Sequence, residues 1–531
     1  MLMMYDYNGE ENEEMKRMKK NLILAGLLSV FCLPMVVNAT EFTVSDSCAD
    51  AENCHATLTD ALTAAEDGDT IKLNSDVTVN STVEITKGVT IDLNGNDIAG
   101  SGVQYVFNFN ANEKKFTLTD TATEVGSITN EQRGILVTAG TLTFDKVTVT
   151  SADRTIQINP LADGGAAKVI IEGGKVESTG TNATRTIMLW GNNVAGNASL
   201  VVNGGEIIAP VTSDNSAAIN LGANNAAGNT VEINGGTITG YNGIRLYGNG
   251  ALGMTVLTMN GGSVNAVNAG IIQSANDGTE NTEIYLYGGS ITAEPQEGSA
   301  TVGGDAVAIH HTQTGILVIG KEDGTGPTLV GQTGIALKEG TVTVNGGSIT
   351  ATGAYREVAL AREDGTEDTG AAISITSNAA FNGGVAVTIN GGKLVSQNGN
   401  ALYEGIAEDE EGTPAATESY VSKIVVSGGE FNSSEEMASV VASAYPEKEF
   451  ITGGTFTSNV SEYMSSDLNL SQDENGNYVV TTEPVDEPTT PSEPEIENPS
   501  TSDNVETFMI LGALSVIGLT VATIVLKKRH N

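Results

Sequence analysis

Aromatic and basic side chains recur at one position of the chain's repeated segments, where they could bind a ligand. Alignment of the runs that we number as third strands gives one row, in chain order Asn159, Trp190, Gly222, Tyr247, Ser274, His310, Lys338 and Thr376. Arg245 lies beside this row. An aromatic face suits the C–H face of a sugar ring, and neighbouring polar groups can bond its hydroxyls. We predict a ligand-binding face with the candidates Trp190, Tyr247, Arg245, His310 and Lys338.

A structural role is the competing interpretation of these residues. Trp190, the single tryptophan, and Tyr247 could instead shield strand ends under a loop. His310 and His311 are adjacent, and adjacent strand residues point to opposite faces, so the pair cannot chelate one metal ion. The pattern favours one outward, solvated histidine beside one histidine in a turn.

One phrase is repeated throughout the chain and must position these residues. It is seen most clearly at Val231–Ile238, where apolar residues alternate, two glycines follow, and the alternation resumes. Its spacing is about 25–31 residues where nothing is inserted. The double glycine is intact nine times, with its first glycine at Gly173, Gly204, Gly235, Gly261, Gly288, Gly346, Gly391, Gly428 and Gly453. The repeats predict one all-β solenoid of about 13 coils over 93–482.

Each coil is predicted to contain three strands, the first before the glycines, the second after them and the third further on. The glycines occupy a corner that needs a positive φ or a close backbone approach. Asparagine precedes the glycines in five coils, at Asn203, Asn234, Asn260, Asn345 and Asn390. Stacked amides could bond along the rod as a ladder, which Tyr287 would interrupt. The insertions 294–305, 355–370 and 404–419 are predicted to be surface loops.

The chain resembles a known fold family in its first half and in its repeats. A predicted amphipathic helix over 57–69 ends in Gly68-Asp69-Thr70-Ile71, and Gly88-Val89-Thr90-Ile91-Asp92-Leu93-Asn94-Gly95 follows before the Asn-Gly-Gly phrases. This order resembles the right-handed parallel β-helix, pectate-lyase-like surface proteins of Gram-positive bacteria. The resemblance implies that fold, with a helical cap over its first coils, and it leaves lyases, hydrolases and adhesins as functions.

The sequence lacks the catalytic motifs that enzymes of the resembled fold family carry. The Asn-Thr-Asp, Gly-His-Gly and Arg-Ile-Lys motifs of polygalacturonase-type sites do not occur. Arg and Lys are sparse, and acidic residues concentrate in the insertions. We therefore predict no catalytic residue, no metal ligand and no cofactor, although Ca²⁺ could neutralise the acidic chain without a recognisable motif. Activity is left open, with a non-enzymatic function favoured.

The amino-terminal region carries the pattern of a secreted protein. Residues 1–39 are predicted to be a leader and signal peptide, with basic residues, an apolar run and a small-residue cleavage site before Thr40. Residues 40–92 are predicted to form the cap and first strands. Cys48 and Cys54 are separated by five residues and would form a disulfide in a secreted chain.

The carboxyl-terminal region carries the pattern of a surface anchor. Residues 483–499 form a spacer rich in Pro, Glu and Thr, and Phe508–Leu526 is an uncharged stretch long enough to cross a bilayer. A basic tail follows and places the end of the chain in the cytoplasm. The region 498–531 resembles the Leu-Pro-x-Thr-Gly sorting signal that sortases join to peptidoglycan. Pro499 and Thr501 match it, whereas Asn498 replaces its leucine and Ser502 replaces its glycine; an uncleaved membrane anchor is the alternative.

Composition supports this placement and limits the partners. The 531 residues include 25 Lys and Arg against 66 Asp and Glu, a net charge of −41. Such a polyanion will not bind nucleic acid through a basic patch. We predict an extracellular protein held at the cell wall or membrane that displays a binding face for an extracellular glycan or host surface, as an adhesin or structural envelope component. The alternative is a wall-anchored polysaccharide lyase or glycoside hydrolase.

Overall fold

The computed structural model describes residues 41–45, 53–161, 165–190, 196–213, 215–222, 228–247, 253–274, 282–296, 306–361 and 369–482. Within them the protein is all-β: one long sheet, mostly parallel, with a single short α-helix. The predicted fold class is confirmed at this level, and the pairing is compatible with a β-solenoid. No helix among the described residues is long and apolar enough to span a membrane.

The strands pair in three parallel ladders, which repeat in chain order as the sequence predicts. The first ladder contains the runs before the double glycines and the matching runs of repeats that lack them: β2 (Cys54–His55), β1 (Glu41–Val44), β3 (Thr70–Leu73), β6 (Thr90–Asp92), β8 (Phe107–Thr119), β10 (Ile135–Phe144), β13 (Ala167–Ile171), β16 (Ala198–Val202), β19 (Asn229–Ile233), β21 (Thr255–Met259), β23 (Thr282–Leu286), β26 (Ile316–Ile319), β29 (Gly340–Val344), β32 (Val385–Ile389) and β35 (Val421–Val426).

The second ladder follows the glycines and contains β4 (Val77–Val79), β7 (Ile98–Gly100), β9 (Ser127–Asn130), β11 (Thr148–Ser151), β14 (Lys175–Ser178), β17 (Glu206–Ile208), β20 (Thr237–Tyr247), β22 (Ser263–Ser274), β24 (Ser290–Ala293), β27 (Thr328–Gly331), β30 (Ser348–Ala351), β33 (Lys393–Ser396), β36 (Glu430–Asn432) and β38 (Gly454–Phe456). The third ladder contains β5 (Val83–Ile85), β12 (Ile156–Ile158), β15 (Arg185–Leu189), β18 (Ala217–Gly222), β25 (Val307–His311), β28 (Thr333–Leu337), β31 (Ile373–Ser377), β34 (Leu402–Ile406) and β37 (Val440–Ala442). The long strands β8, β10, β20 and β22 bend and also contribute to the third ladder.

Aliphatic side chains from all three ladders fill one continuous core. Ile233, Ile238 and Ile244 come from successive ladders of one coil, and each is fully buried. Complete burial of such a side chain contributes roughly 1.5–3 kcal/mol. The alternation read from the repeat phrase therefore has a direct energetic cause, since every second residue joins this core.

The asparagine ladder predicted from the sequence is confirmed. The Asn234 amide donates to Asn203 Oδ1 at 3.0 Å and accepts from Asn260 Nδ2 at 2.8 Å. The Asn390 amide donates to Asn345 Oδ1 at 2.9 Å, so the series resumes beyond Tyr287. Each of these hydrogen bonds joins one repeat to the next rather than two residues of the same repeat.

Both ends of the described region contain the predicted elements. Helix α1 (Leu58–Ala64) is shorter than the predicted 57–69; Thr57 caps it by accepting from the amide N of Asp60 at 3.1 Å. Lys87 Nζ donates to the carbonyl oxygens of Leu62, Thr63 and Ala65 at its other end. The predicted hairpin is formed by β39 (Asn469–Gln472) and β40 (Tyr478–Thr481), and β40 also pairs antiparallel with β38.

Several predicted features lie outside the described residues. These are the leader and signal peptide, the spacer, the span 508–526 and the sorting residues Pro499, Thr501 and Ser502. Cys54 is disulfide-bonded, whereas its predicted partner Cys48 lies outside the described residues.

Candidate functional site

The outward face of the third ladder is set by its register. Asn220 of β18 pairs with Met188 on one side and Arg245 on the other. Two residues further along each strand, Gly222 pairs with Tyr247. Trp190 directly follows β15, and a Cβ on Gly222 would lie 2.7 Å from its ring atom Cε3. Glycine at this position therefore leaves the space that the indole ring of Trp190 occupies.

Trp190 and Arg245, two of the predicted ligand-binding residues, line one cavity of about 390 Å³. The other lining residues are Arg154, Arg185, Met188 and Asn220. Among the described residues that line it there is no carboxylate and no imidazole, so they offer hydrogen-bond donors and apolar surface rather than an acid–base pair. The backbone of Tyr247 ends β20, and its side chain lies outside the described part of the structure.

The alignment that placed His310 level with Trp190 and Lys338 is wrong. Ile272 pairs with both Arg245 and His310, so His310 belongs to the row of Arg245. A shift of two residues preserves the inside–outside alternation, so the sequence pattern cannot detect it. His310 is also 1% exposed, which contradicts the predicted solvated histidine.

Lys338 is likewise absent from the surface. Its side chain is 1% exposed, and its Nζ contacts Thr376 Oγ1. His311 is fully buried, its Nδ1 lies 2.9 Å from the Glu339 carbonyl oxygen, and burial lowers its pKa to about 4. These buried groups are not among the residues that line the cavity.

Arg154 and Arg185 were missed, although the sequence carries a signal for them. Arg133-Gly134-Ile135, Arg154-Thr155-Ile156 and Arg185-Thr186-Ile187 repeat one short phrase at the same position of three consecutive coils. The chain has only eight arginines, so three in one register position form a pattern. The prediction of the binding face began from the aromatic residues and did not include this arginine pattern.

The electrostatics of the cavity are dominated by like charges. Asp153 Oδ2 lies 3.3 Å from Arg154 Nε, and Asp153 Oδ1 accepts from the amide N of Arg185 at 2.9 Å. Burial, followed by the charge of Arg133, lowers the pKa of Arg154, and Asp153 opposes this shift. Arg185 Nη1 donates to the Ala183 carbonyl oxygen. Contacts with Asp153 and Ala183, which precede Arg154 and Arg185 in the chain, thus orient these two guanidinium groups.

A buried carboxyl group lies further along the same ladder. Glu404 belongs to β34 and is fully buried, so the insertion predicted to begin there as a surface loop begins later in the chain. Its Oε2 accepts from the amide N of Ala444 at 3.0 Å and of Tyr445 at 2.7 Å, and its Oε1 accepts from Ser419 Oγ. Burial raises the pKa of Glu404 despite these bonds.

The described residues contain no group of three or more His, Cys, Asp or Glu side chains arranged to hold a metal ion. Comparison of the chain with protein-family models, with curated proteins and with solved structures found no match.

Proposed function

We propose that this protein is a right-handed parallel β-helix of about 13 coils that is displayed outside the cell and binds an extracellular glycan. Three parallel ladders in one repeating order support the solenoid, and parallel crossover connections are right-handed in nearly all known cases. Helix α1 beside the first coils supports the proposed cap, since a covered end cannot recruit other chains.

The cavity that joins Trp190 to Arg245 is the observation that carries the binding function. The half-buried indole ring offers an apolar face, and the Asn220 amide and the arginines offer polar groups beside it. This combination suits a sugar ring, whose apolar face and hydroxyl edge need different partners. The described lining residues include no carboxylate, which favours binding over hydrolysis, since hydrolysis needs two carboxylates at one bond.

Replacing Trp190 by alanine tests the binding function. We expect the purified full chain to bind a subset of an extracellular-glycan array, and Trp190→Ala to lose about tenfold or more in affinity, which corresponds to about 1.4 kcal/mol. Trp190→Phe keeps an aromatic face and should retain most of the binding. Tyr285→Ala, on the first ladder, removes an aromatic ring elsewhere and should leave binding unchanged.

Two outcomes would contradict the proposal. Unchanged affinity in Trp190→Ala would exclude the cavity as the sugar site. Release of reducing or unsaturated products by the wild type, lost in a point variant, would support the lyase or hydrolase alternative instead.

The anchoring proposal is separate and depends on the sequence alone. Spacer, sorting-like segment, apolar span and basic tail occur in the order of a sortase substrate, which supports attachment to peptidoglycan through Thr501. Mass spectrometry of protein released by wall digestion should find a carboxyl-terminal peptide that ends at Thr501 and carries a wall fragment. Peptides extending through Ser502 into the span would indicate the uncleaved membrane anchor.

A further inference from the structure

Three guanidinium groups line one cavity of a strongly acidic chain. Arg154, Arg185 and Arg245 contribute three of the 25 basic residues, whereas the chain has 66 acidic residues and none of the described residues that line this cavity is acidic. Like charges brought together repel one another, and burial of Arg154 adds a desolvation cost. Three guanidinium groups that converge on one cavity present paired N–H donors, which suit an anionic ligand.

One carboxylate of the chain itself already offsets part of this positive charge. Asp153 contacts Arg154 at 3.3 Å and accepts from the amide N of Arg185, so it connects two neighbouring coils. Its side chain is 34% exposed, and the charge of Arg133 also acts on Arg154. Asp153 would therefore compete with an anionic ligand for Arg154.

We propose that this cavity binds an oxyanion, a carboxylate, sulfate or phosphate group, carried on a ring that packs on Trp190. The inference rests on the proposed glycan-binding function and specifies its ligand class. Guanidinium groups bind such oxyanions through paired N–H donors, a geometry that lysine cannot reproduce. Met188 supplies apolar surface, and Asn220 adds a neutral donor and acceptor.

The arrangement along the ladder favours a polymer over a single ion. Arg154, Arg185 and Arg245 belong to β12, β15 and β20 or the residues just before them, with β18 between the last two. Neighbouring strands are about 4.8 Å apart, so the cationic groups extend over roughly 14 Å of the rod. A chain with repeated acidic groups could therefore contact several of them at once.

A matched ligand series tests the oxyanion. The full chain is titrated calorimetrically with dextran, carboxymethyl-dextran, dextran sulfate and dextran phosphate, which share one backbone. We expect at least one anionic form to bind tenfold or more tightly than neutral dextran, and the preferred form identifies the oxyanion. Arg154→Gln, Arg185→Gln and Arg245→Gln should each weaken that binding by about tenfold, and Arg245→Lys should recover only part of it.

Two variants provide the controls. Lys175→Gln removes a cation from the second ladder, where Lys175 pairs with Glu177, and should leave affinity unchanged. Asp153→Asn keeps an oxygen acceptor for the Arg185 amide while removing the competing charge, so it should raise affinity several-fold. The melting temperature of each variant confirms that the fold is retained.

The outcomes separate this inference from the proposed function. Equal affinity for neutral and anionic forms, or lower affinity in Asp153→Asn, overturns the oxyanion site but leaves a glycan-binding cavity. If neither the dextran series nor the glycan array binds at the cavity, the oxyanion and the binding function both fail.

Discussion

Gly174→Ala is expected to lower the melting temperature by more than any surface substitution in the chain. Gly174 is the second glycine of its pair and has φ +80°. An added Cβ would lie 2.3 Å from the carbonyl oxygen and 2.7 Å from the amide N of Val147, on the preceding coil. The left-handed conformation costs alanine about 1–2 kcal/mol, and overpacking adds about 1–3 kcal/mol. Thermal unfolding followed by circular dichroism measures the sum.

Gly476→Ala separates the cost of the left-handed conformation from the cost of overpacking. Gly476 has φ +84° in the turn between β39 and β40, and no atom lies within 4 Å of its added Cβ. It should therefore lose only the conformational term. Equal losses in the two variants would show that contact between coils contributes nothing at the glycine corner. Hydrogen exchange should place the Gly174→Ala effect in the neighbouring coils, because each repeat of a solenoid contacts only its neighbours.

Glu404→Leu is the second substitution with a large expected effect. Leucine has a similar volume but cannot accept the three bonds from Ser419, Ala444 and Tyr445. Each buried donor left without a partner costs about 1–3 kcal/mol, so the two amides alone cost about 2–6 kcal/mol. Loss of hydrogen-exchange protection at 440–445, with the amino-terminal coils unchanged, is the expected result. A melting temperature within a degree of the wild type would show that water replaces the carboxylate.

Glu404→Gln is the matched variant, because its amide oxygen can still accept from the backbone. Burial raises the folded-state pKa of Glu404 above its ordinary value of about 4.3. The protonated carboxyl therefore stabilises the folded state below that pH, and this stability is lost as the pH rises through the folded-state pKa. The melting temperature of the wild type should fall relative to Glu404→Gln over that interval. A difference that is constant with pH would contradict the raised pKa.

The repeat phrase determined most of the fold without tertiary information. Alternation around Gly235 and Gly236 implies an inward and an outward face, and the structure buries the residues on the predicted side. The asparagine hydrogen bonds were also predictable from the sequence, because Asn203, Asn234 and Asn260 occupy the same position in consecutive repeats. These features depend on local backbone conformation and on repetition, which are both readable along a chain.

The candidate site was predicted only in part. A sequence shows which residues share a face of a strand more readily than it shows which residues pair across neighbouring strands. Trp190 and Arg245 were predicted to belong to one binding face, and the structure places both in the lining of one cavity. His310 and Lys338 were assigned to the same exposed row, although pairing shifts one of them by two residues and both are buried. Alternation specifies which residues point outward, but not which outward residues are covered by the rest of the chain.

The sequence by itself determined an acidic, all-β repeat with glycine corners, an asparagine ladder and an outward face that carries Trp190 and Arg245. Only the tertiary structure decided that Arg154 and Arg185 join that pair, and that His310 does not. The physical reason is that a cavity is built across several coils. Its lining depends on how strands separated by some thirty residues align, and that alignment depends on the insertions between them.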